Sequence, residues 1–216
     1  MTEETAEATS DSDSDPQFKW LNWARRLQAI SQAGISFASD PMDLERFRTV
    51  RDIAAEMAAQ HTDLGFEKLL DLFSRDSGLV TPKVAVRAAI FEGDAILLVK
   101  ENRHGRWTMP GGLVEINEIP SDAVAREVLE ESGYVVKPTR LLGVYNSQSR
   151  RFHNYYTLFF DCIPTGETHE VADLETSEAD YFPIDSLPPL AVENGRTQIK
   201  RLMDIHQNPD LPADFE

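Results

Sequence analysis

The sequence predicts an α/β domain preceded by a small all-helical one. Three observations carry that expectation. From Gln17 to about Ser77 apolar residues recur at three- and four-residue steps, the period of amphipathic helices. Near Thr81 the period changes to two, as it does where helices give way to strands. From Gly112 to Tyr134 the chain reads GLVEINEIPSDAVAREVLEESGY, a single helix with its own start, stop, apolar face and carboxylate face.

Residues 1–16, MTEETAEATSDSDSDP, hold six acids and no base and are expected to be a disordered acidic tail. The helical domain is expected over 17–79. Trp20, Leu21, Trp23, Ala24, Leu27 and Ile30 suit a first helix. Ser39-Asp40-Pro41 is a start signal for a second through Asp43–Gln60, with Leu44, Phe47, Val50, Ile53, Ala54 and Met57 on one face. Leu69, Leu70, Leu72 and Phe73 suggest a third, shorter helix. Two readings stay open for this segment: a bundle packed on the α/β domain, or a dimerisation or substrate-gating module. Trp20, Trp23 and Leu27 lead to the expectation of a homodimer through these helices.

The α/β domain is expected over 80–206. Val84, Val86, Ala88 and Ile90 alternate with Ala85, Arg87, Ala89 and Phe91, a strand with both faces covered. Glu92-Gly93-Asp94 turns the chain and Ala95–Lys100 returns it as a hairpin. After the central helix, Arg140–Tyr145 and Tyr155–Ile163 read as strands, Pro164–Leu174 as an acidic loop, Ala179–Pro183 as a short strand and Arg196–His206 as a final helix. Residues 207–216 are expected to be an extended tail.

Composition bounds the partners. The net charge is −16, and −10 remains without the first sixteen residues, which argues against long nucleic acid as a ligand. A small anionic substrate is compatible with that charge, because a bound cation inverts it locally. The one cysteine, Cys162, excludes an internal disulfide and fits a reducing compartment. No apolar run approaches membrane length and no signal-peptide pattern opens the chain, so a soluble cytoplasmic protein is expected.

Within 112–134, Glu127, Glu130 and Glu131 stand at i, i+3 and i+4 and share a helix face, with Val124, Ala125, Val128 and Leu129 opposite. Pro120 suits the first turn and Gly133 a left-handed cap. Acids on a helix are most often a solvated face. Here like charges at i,i+4 have only Arg126 among them, Glu118 adds a further acid, and Pro110-Gly111-Gly112 can turn backbone carbonyls toward a cation. Oxygen ligands without His or Cys favour Mg²⁺ or Mn²⁺. No Ser-His-Asp set, phosphate-binding Gly-x4-Gly-Lys loop or zinc spacing is present.

These residues resemble the Nudix box, Gly-x5-Glu-x7-Arg-Glu-hydrophobic-x-Glu-Glu-x-Gly-hydrophobic. Gly112, Glu118, Arg126, Glu127, Glu130, Glu131 and Gly133 match its fixed positions. Val128 fills the first hydrophobic slot and Tyr134 the last. The resemblance implies an α/β/α sandwich with a mixed sheet. It implies that Glu127, Glu130, Glu131 and the Gly112 carbonyl bind Mg²⁺, with Mn²⁺ as the substitute, and that Arg126 and Glu118 orient the cluster. It implies a general base among the acids, with Glu175 preferred over Glu178. The flanking segments VTPKVAVRAAIF, RWTMPGG, ETSEADYF and NGRTQIK…NPDLPADFE are similar to the branch with an N-terminal helical domain. That branch includes CDP-choline pyrophosphatases and hydrolases of nucleoside diphosphates linked to a moiety X. The run NSQSRRFHN departs from the Asp-Arg…Lys-His-x-His of that branch, which leaves X open.

The expected function is a Mg²⁺-dependent hydrolase that splits a nucleoside diphosphate-X, such as CDP-choline or ADP-ribose, into a nucleoside monophosphate and X-phosphate. The alternatives are a nucleotide-sensing module and an RNA-processing enzyme. Arg87, Lys100 and Glu101 on the hairpin, with Arg150 and Arg151 in the polar loop, are the candidates for holding substrate, against a role as ordinary strand or surface residues.

Overall fold

The computed structural model describes residues 19–74, 79–148, 154–169, 171, 175–192 and 195–215. The chain divides into two compact units, with the boundary between Thr81 and Pro82.

The first unit is built from three helices: α1 (Lys19–Phe37), α2 (Pro41–Ala59) and α3 (Phe66–Ser74). Asp40 caps α2 from extended backbone, its carboxylate accepting the Met42 N–H at 2.7 Å, and Pro41 takes the first turn. Such a cap is worth about 1 kcal/mol. The core is small-residue packing: Ala24 clusters with Ala54, Ala55 and Ala58, together with Leu69 and Phe73 of α3. Two expectations change here. On α1 the buried positions are Leu21, Ala24, Gln28, Ser31 and Gln32, while Trp23 and Ile30 are exposed. On α2 the alanines are buried and Ile53 is exposed. The periodicity does mark helices, but small residues form the buried seam, with Trp20, Leu27 and Met57 packed at its margin and Trp23, Ile30 and Ile53 exposed.

The second unit carries eight strands among the described residues. These are β1 (Lys83–Ala89), β2 (Phe91–Glu92), β3 (Ala95–Glu101), β4 (Trp107–Thr108), β5 (Tyr134–Gln148), β6 (Asn154–Thr168), β7 (Thr176–Pro183) and β8 (Asp214–Phe215). Its helices are α4 (Pro120–Ser132) and α5 (Gly195–Gln207). One sheet has the order β1-β6-β5-β8; the other runs β2-β3-β4, with β7 also on β3. β1 pairs parallel with β6, Arg87 opposite Phe159, and β3 antiparallel with β7, so parallel and antiparallel pairing coexist.

The expected hairpin is therefore smaller than the alternation suggests. Only Phe91–Glu92 turn back on β3, while β1 leaves for the other sheet. β5 and β6 run well beyond the expected strands, and β6 takes in Pro164–Thr168 of the expected acidic loop. The C-terminal segment is not simply extended, because Asp214–Phe215 lie parallel beside Gly143–Val144. Tyr145 donates its hydroxyl to Asp214 at 2.7 Å, and Arg201 of α5 donates to the same carboxylate at 3.1 Å.

Two cores make the layers. α4 packs Ala123, Val124 and Val128 against Val86, Ala88, Leu97 and Cys162. α5 packs Ile199, Leu202 and Ile205 against Ala89, Ile96, Leu98, Leu142 and Phe159. β3 serves both, since Leu97 and its neighbours Ile96 and Leu98 point to opposite faces. Among the described residues no helix is long and apolar enough to cross a membrane.

Candidate active site

α4 begins where Ile119 leaves extended backbone and Pro120 occupies the first helical position, where its missing N–H is no loss. It ends at Gly133, φ 75°, whose N–H returns to the Leu129 carbonyl at 2.9 Å. Leu129 itself is 37% exposed, a correction to the expected core face. Ala123 and Ser132 are buried instead, because the helix beds on the strands a step further round.

Arg126 is the hub. Its Nε and Nη2 donate to the two oxygens of Glu118 at 2.8 and 3.1 Å, a two-point fork. Its Nη1 donates to Glu127 Oε1 at 2.9 Å and to Glu130 Oε2 at 3.0 Å. The Leu113 carbonyl accepts a further bond from Nη2 at 3.3 Å. The Arg126 guanidinium, helped by the Glu115 N–H, holds the Glu118 carboxyl down to about 2, and Arg126 is itself pushed up. Glu127 moves the other way. Burial raises its pKa despite the opposing pull of Arg126 and Arg87.

The double-glycine turn closes on this face. Val86 N–H donates to the Gly112 carbonyl and Ala88 N–H to the Pro110 carbonyl, both at 2.9 Å, so the turn runs along the free side of β1. Gly111, φ 143°, has the Val86 carbonyl 2.2 Å from where a Cβ would stand. Gly112 has the Glu127 carboxylate 2.5 Å from its own missing Cβ. Glu131 Oε2 accepts the Gly111 N–H at 2.7 Å, and its backbone carbonyl accepts the Thr176 hydroxyl at 2.9 Å.

The expected residues therefore divide. Glu118, Arg126, Glu127 and Glu130 form one hydrogen-bonded cluster, and Glu131 stands beside it on the turn. Glu175 reaches this end of α4 through its neighbour Thr176, and its carbonyl accepts the Asn102 N–H at 2.8 Å. Glu178 pairs with Lys100 at 2.7 Å, and Lys100 also lies over the Trp107 ring. Glu101 pairs with His104 at 2.7 Å. Arg87 donates Nη1 to the Met109 and Gly111 carbonyls. Arg150 and Arg151 lie outside the described residues. Sequence reasoning missed the Thr176 hydroxyl and a groove of about 350 Å³ lined by Lys83, Val84, Leu113, Val114, Glu115 and Ile116. Neither has a local signal, since both arise from segments far apart in the chain.

Does this face suit a divalent cation? The donors are carboxylate and backbone oxygens, the set that hard cations prefer. Three carboxylates share one guanidinium, and Glu127 is partly buried, which disfavours its charge. Among the described residues no three acidic, His or Cys side chains converge on one point, because Arg126 stands between them. Glu130 is half exposed, and an exposed carboxylate reorients at little cost. The residues fit the ion. Cys162 is no rival centre: burial pushes its thiol up to about 12.

The fold that α4, β1 and β6 build is the one the box implies. Residues 81–203 match the NUDIX domain, and 18–73 match a domain described as UDP-X-like, N-terminal oligomerisation domain. The chain belongs to the Nudix hydrolase family, with the N-terminal helical domain of one of its branches. It is 38% identical over 205 residues to YjhB of Bacillus subtilis (strain 168), provisionally named an ADP-ribose pyrophosphatase, covering 93% of this chain and 98% of that one. It is 37% identical to an ADP-ribose pyrophosphatase of Methanocaldococcus jannaschii over 52% of this chain and 69% of the relative. Among solved structures, a UDP-X diphosphatase aligns with 29% identity and a TM-score of 0.57, covering 93% of this chain and 99% of that one.

Proposed function

We propose that this hydrolase cleaves a nucleoside diphosphate-X between its two phosphates, releasing a nucleoside monophosphate and X-phosphate with Mg²⁺ as cofactor. The observation that carries the reading is Glu127: a carboxylate buried enough to be raised in pKa, set against a glycine that leaves it room. Mn²⁺ is the expected substitute. When bound, the cation supplies charge neutralisation for the diphosphate and Lewis acidity at phosphorus. The chain's own residues do the rest. Arg126 holds Glu118, Glu127 and Glu130 in register, and the turn brings the Gly112 backbone against Glu127. Glu175 takes the proton of the attacking water, with Glu178, whose carboxylate pairs with Lys100, as the alternative. The groove beside Leu113 is large enough for a nucleoside.

ADP-ribose and CDP-choline are the first substrates to test, with UDP-linked compounds added because of the relatives. Product analysis of such a panel with Mg²⁺, including dinucleoside polyphosphates and nucleoside triphosphates, decides the class. A nucleoside monophosphate from one diphosphate-X class supports the reading. Intact nucleotides that bind without phosphate release make the chain a sensor, and shortening of an oligoribonucleotide makes it an RNA enzyme.

The helical unit is proposed to form a homodimer. Trp23, Ile30 and Phe37 stand seven residues apart on α1 and are all exposed, as are Met42 and Ile53 of α2. A seam at that spacing suits a second pair of helices. Trp23→Asp is expected to halve the mass seen by light scattering at micromolar concentration. A wild type already monomeric there rejects the dimer.

A further inference from the structure

We infer that Arg87 is a positioning residue for the cation site, acting through the Met109–Gly112 turn, and is not a ligand of the substrate. The inference rests on the hydrolase reading only for its kinetic half.

All four carbonyls of the turn are engaged. Its carbonyls at Pro110 and Gly112 face β1 and accept the Ala88 and Val86 N–H groups. In extended chain, alternate carbonyls point the opposite way. Those of Met109 and Gly111 do so, and the donor both meet is Arg87 Nη1, at 2.8 Å for Met109. The N–H of Gly111 points to that same side and meets Glu131. Gly111 is thus gripped at its carbonyl by Arg87 and at its N–H by a box carboxylate. Its φ of 143° and the Val86 carbonyl, 2.2 Å from where a Cβ would stand, leave no room for a side chain.

One side chain therefore sets the height of the Gly111–Gly112 backbone against the Glu127 carboxylate that packs on it. A buried carbonyl pair without its donor costs free energy, so an apolar residue at 87 would let the turn lift from α4. Groups that orient ligands from behind them typically change metal affinity by about 10–100-fold when lost.

The test uses the full chain with Arg87→Met and Arg87→Lys. Mn²⁺ binding is read by electron paramagnetic resonance without nucleotide, and steady-state kinetics are run at saturating Mn²⁺. Arg87→Met is expected to weaken Mn²⁺ binding by about tenfold or more, with the nucleotide KM held within about twofold at saturation. Arg87→Lys is expected to recover most of the Mn²⁺ affinity, since an ammonium carries three donors and the charge. Should Arg87→Met fail to fold, Arg87→Lys carries the comparison: Mn²⁺ affinity and KM near wild type support the inference.

Unchanged Mn²⁺ affinity with KM raised tenfold and no rescue by lysine overturns it and makes Arg87 a phosphate ligand. Wild type that binds Mn²⁺ but cleaves no nucleotide rejects the proposed function and leaves the Mn²⁺ comparison standing. Wild type that binds no Mn²⁺ rejects both.

Discussion

Glu127→Gln is expected to lower kcat by about 10³-fold, close to 4 kcal/mol of transition-state stabilisation, while raising the melting temperature of the metal-free protein. The two effects share one cause. Burial of the carboxylate disfavours its ionised form. Glutamine keeps the shape and the oxygen that accepts from Arg126, and it removes the charge that the fold resists. On the proposed function the same buried charge serves the cation, so relieving its burial and losing the function are expected together. Melting in EDTA and turnover with Mg²⁺ measure the pair. Retention of a tenth of the activity, or a lower melting point, would show that the burial of Glu127 has nothing to do with catalysis.

The second large effect separates adjacent glycines. Gly111→Ala places a Cβ 2.2 Å from the Val86 carbonyl and 2.9 Å from the Arg87 Cα, at a φ of 143° that side chains rarely adopt. Backbone cannot step aside, and the loss is expected to be about 3 kcal/mol or more, roughly 6–12 °C in Tm. The nearest atoms that Gly112→Ala meets are those of the Glu127 carboxylate, the movable end of a side chain. Its fold should survive within about 1 kcal/mol, while displacement of that carboxylate costs about 100-fold in kcat. Thermal melts beside kinetics for both variants check this. Equal melting points would contradict the steric account of Gly111, and full activity in Gly112→Ala would contradict that of Gly112.

Whatever local spacing decides is legible in the sequence. The limits of α4 follow from Pro120 and Gly133, and the fork between Glu118 and Arg126 follows from a box whose members lie within one turn-helix unit. The Asp40 cap is equally local. Features that depend on contacts between distant segments stay hidden. Arg87 looks like an ordinary strand residue or a substrate ligand until the turn, more than twenty residues later, comes to lie alongside it. Lys100 and Glu178 look unrelated in one dimension and pair with each other across β3 and β7. Leu129 falls on the core face of a helical wheel, which cannot say at which rotation the helix settles on its strands.

The two residues of β8 have a consequence out of proportion to their size. β5 is fifteen residues long, and a strand of that length with a bare side is a template on which another chain's strand can grow. Asp214–Phe215 cover that side at Gly143–Val144, and the Asp214 carboxylate is tied down by Tyr145 and Arg201. A chain clipped after Asn208 would keep its cores and its box, yet present that margin to its neighbours. Its failure would be self-association in storage rather than loss of fold, and a purification tag belongs at the opposite terminus.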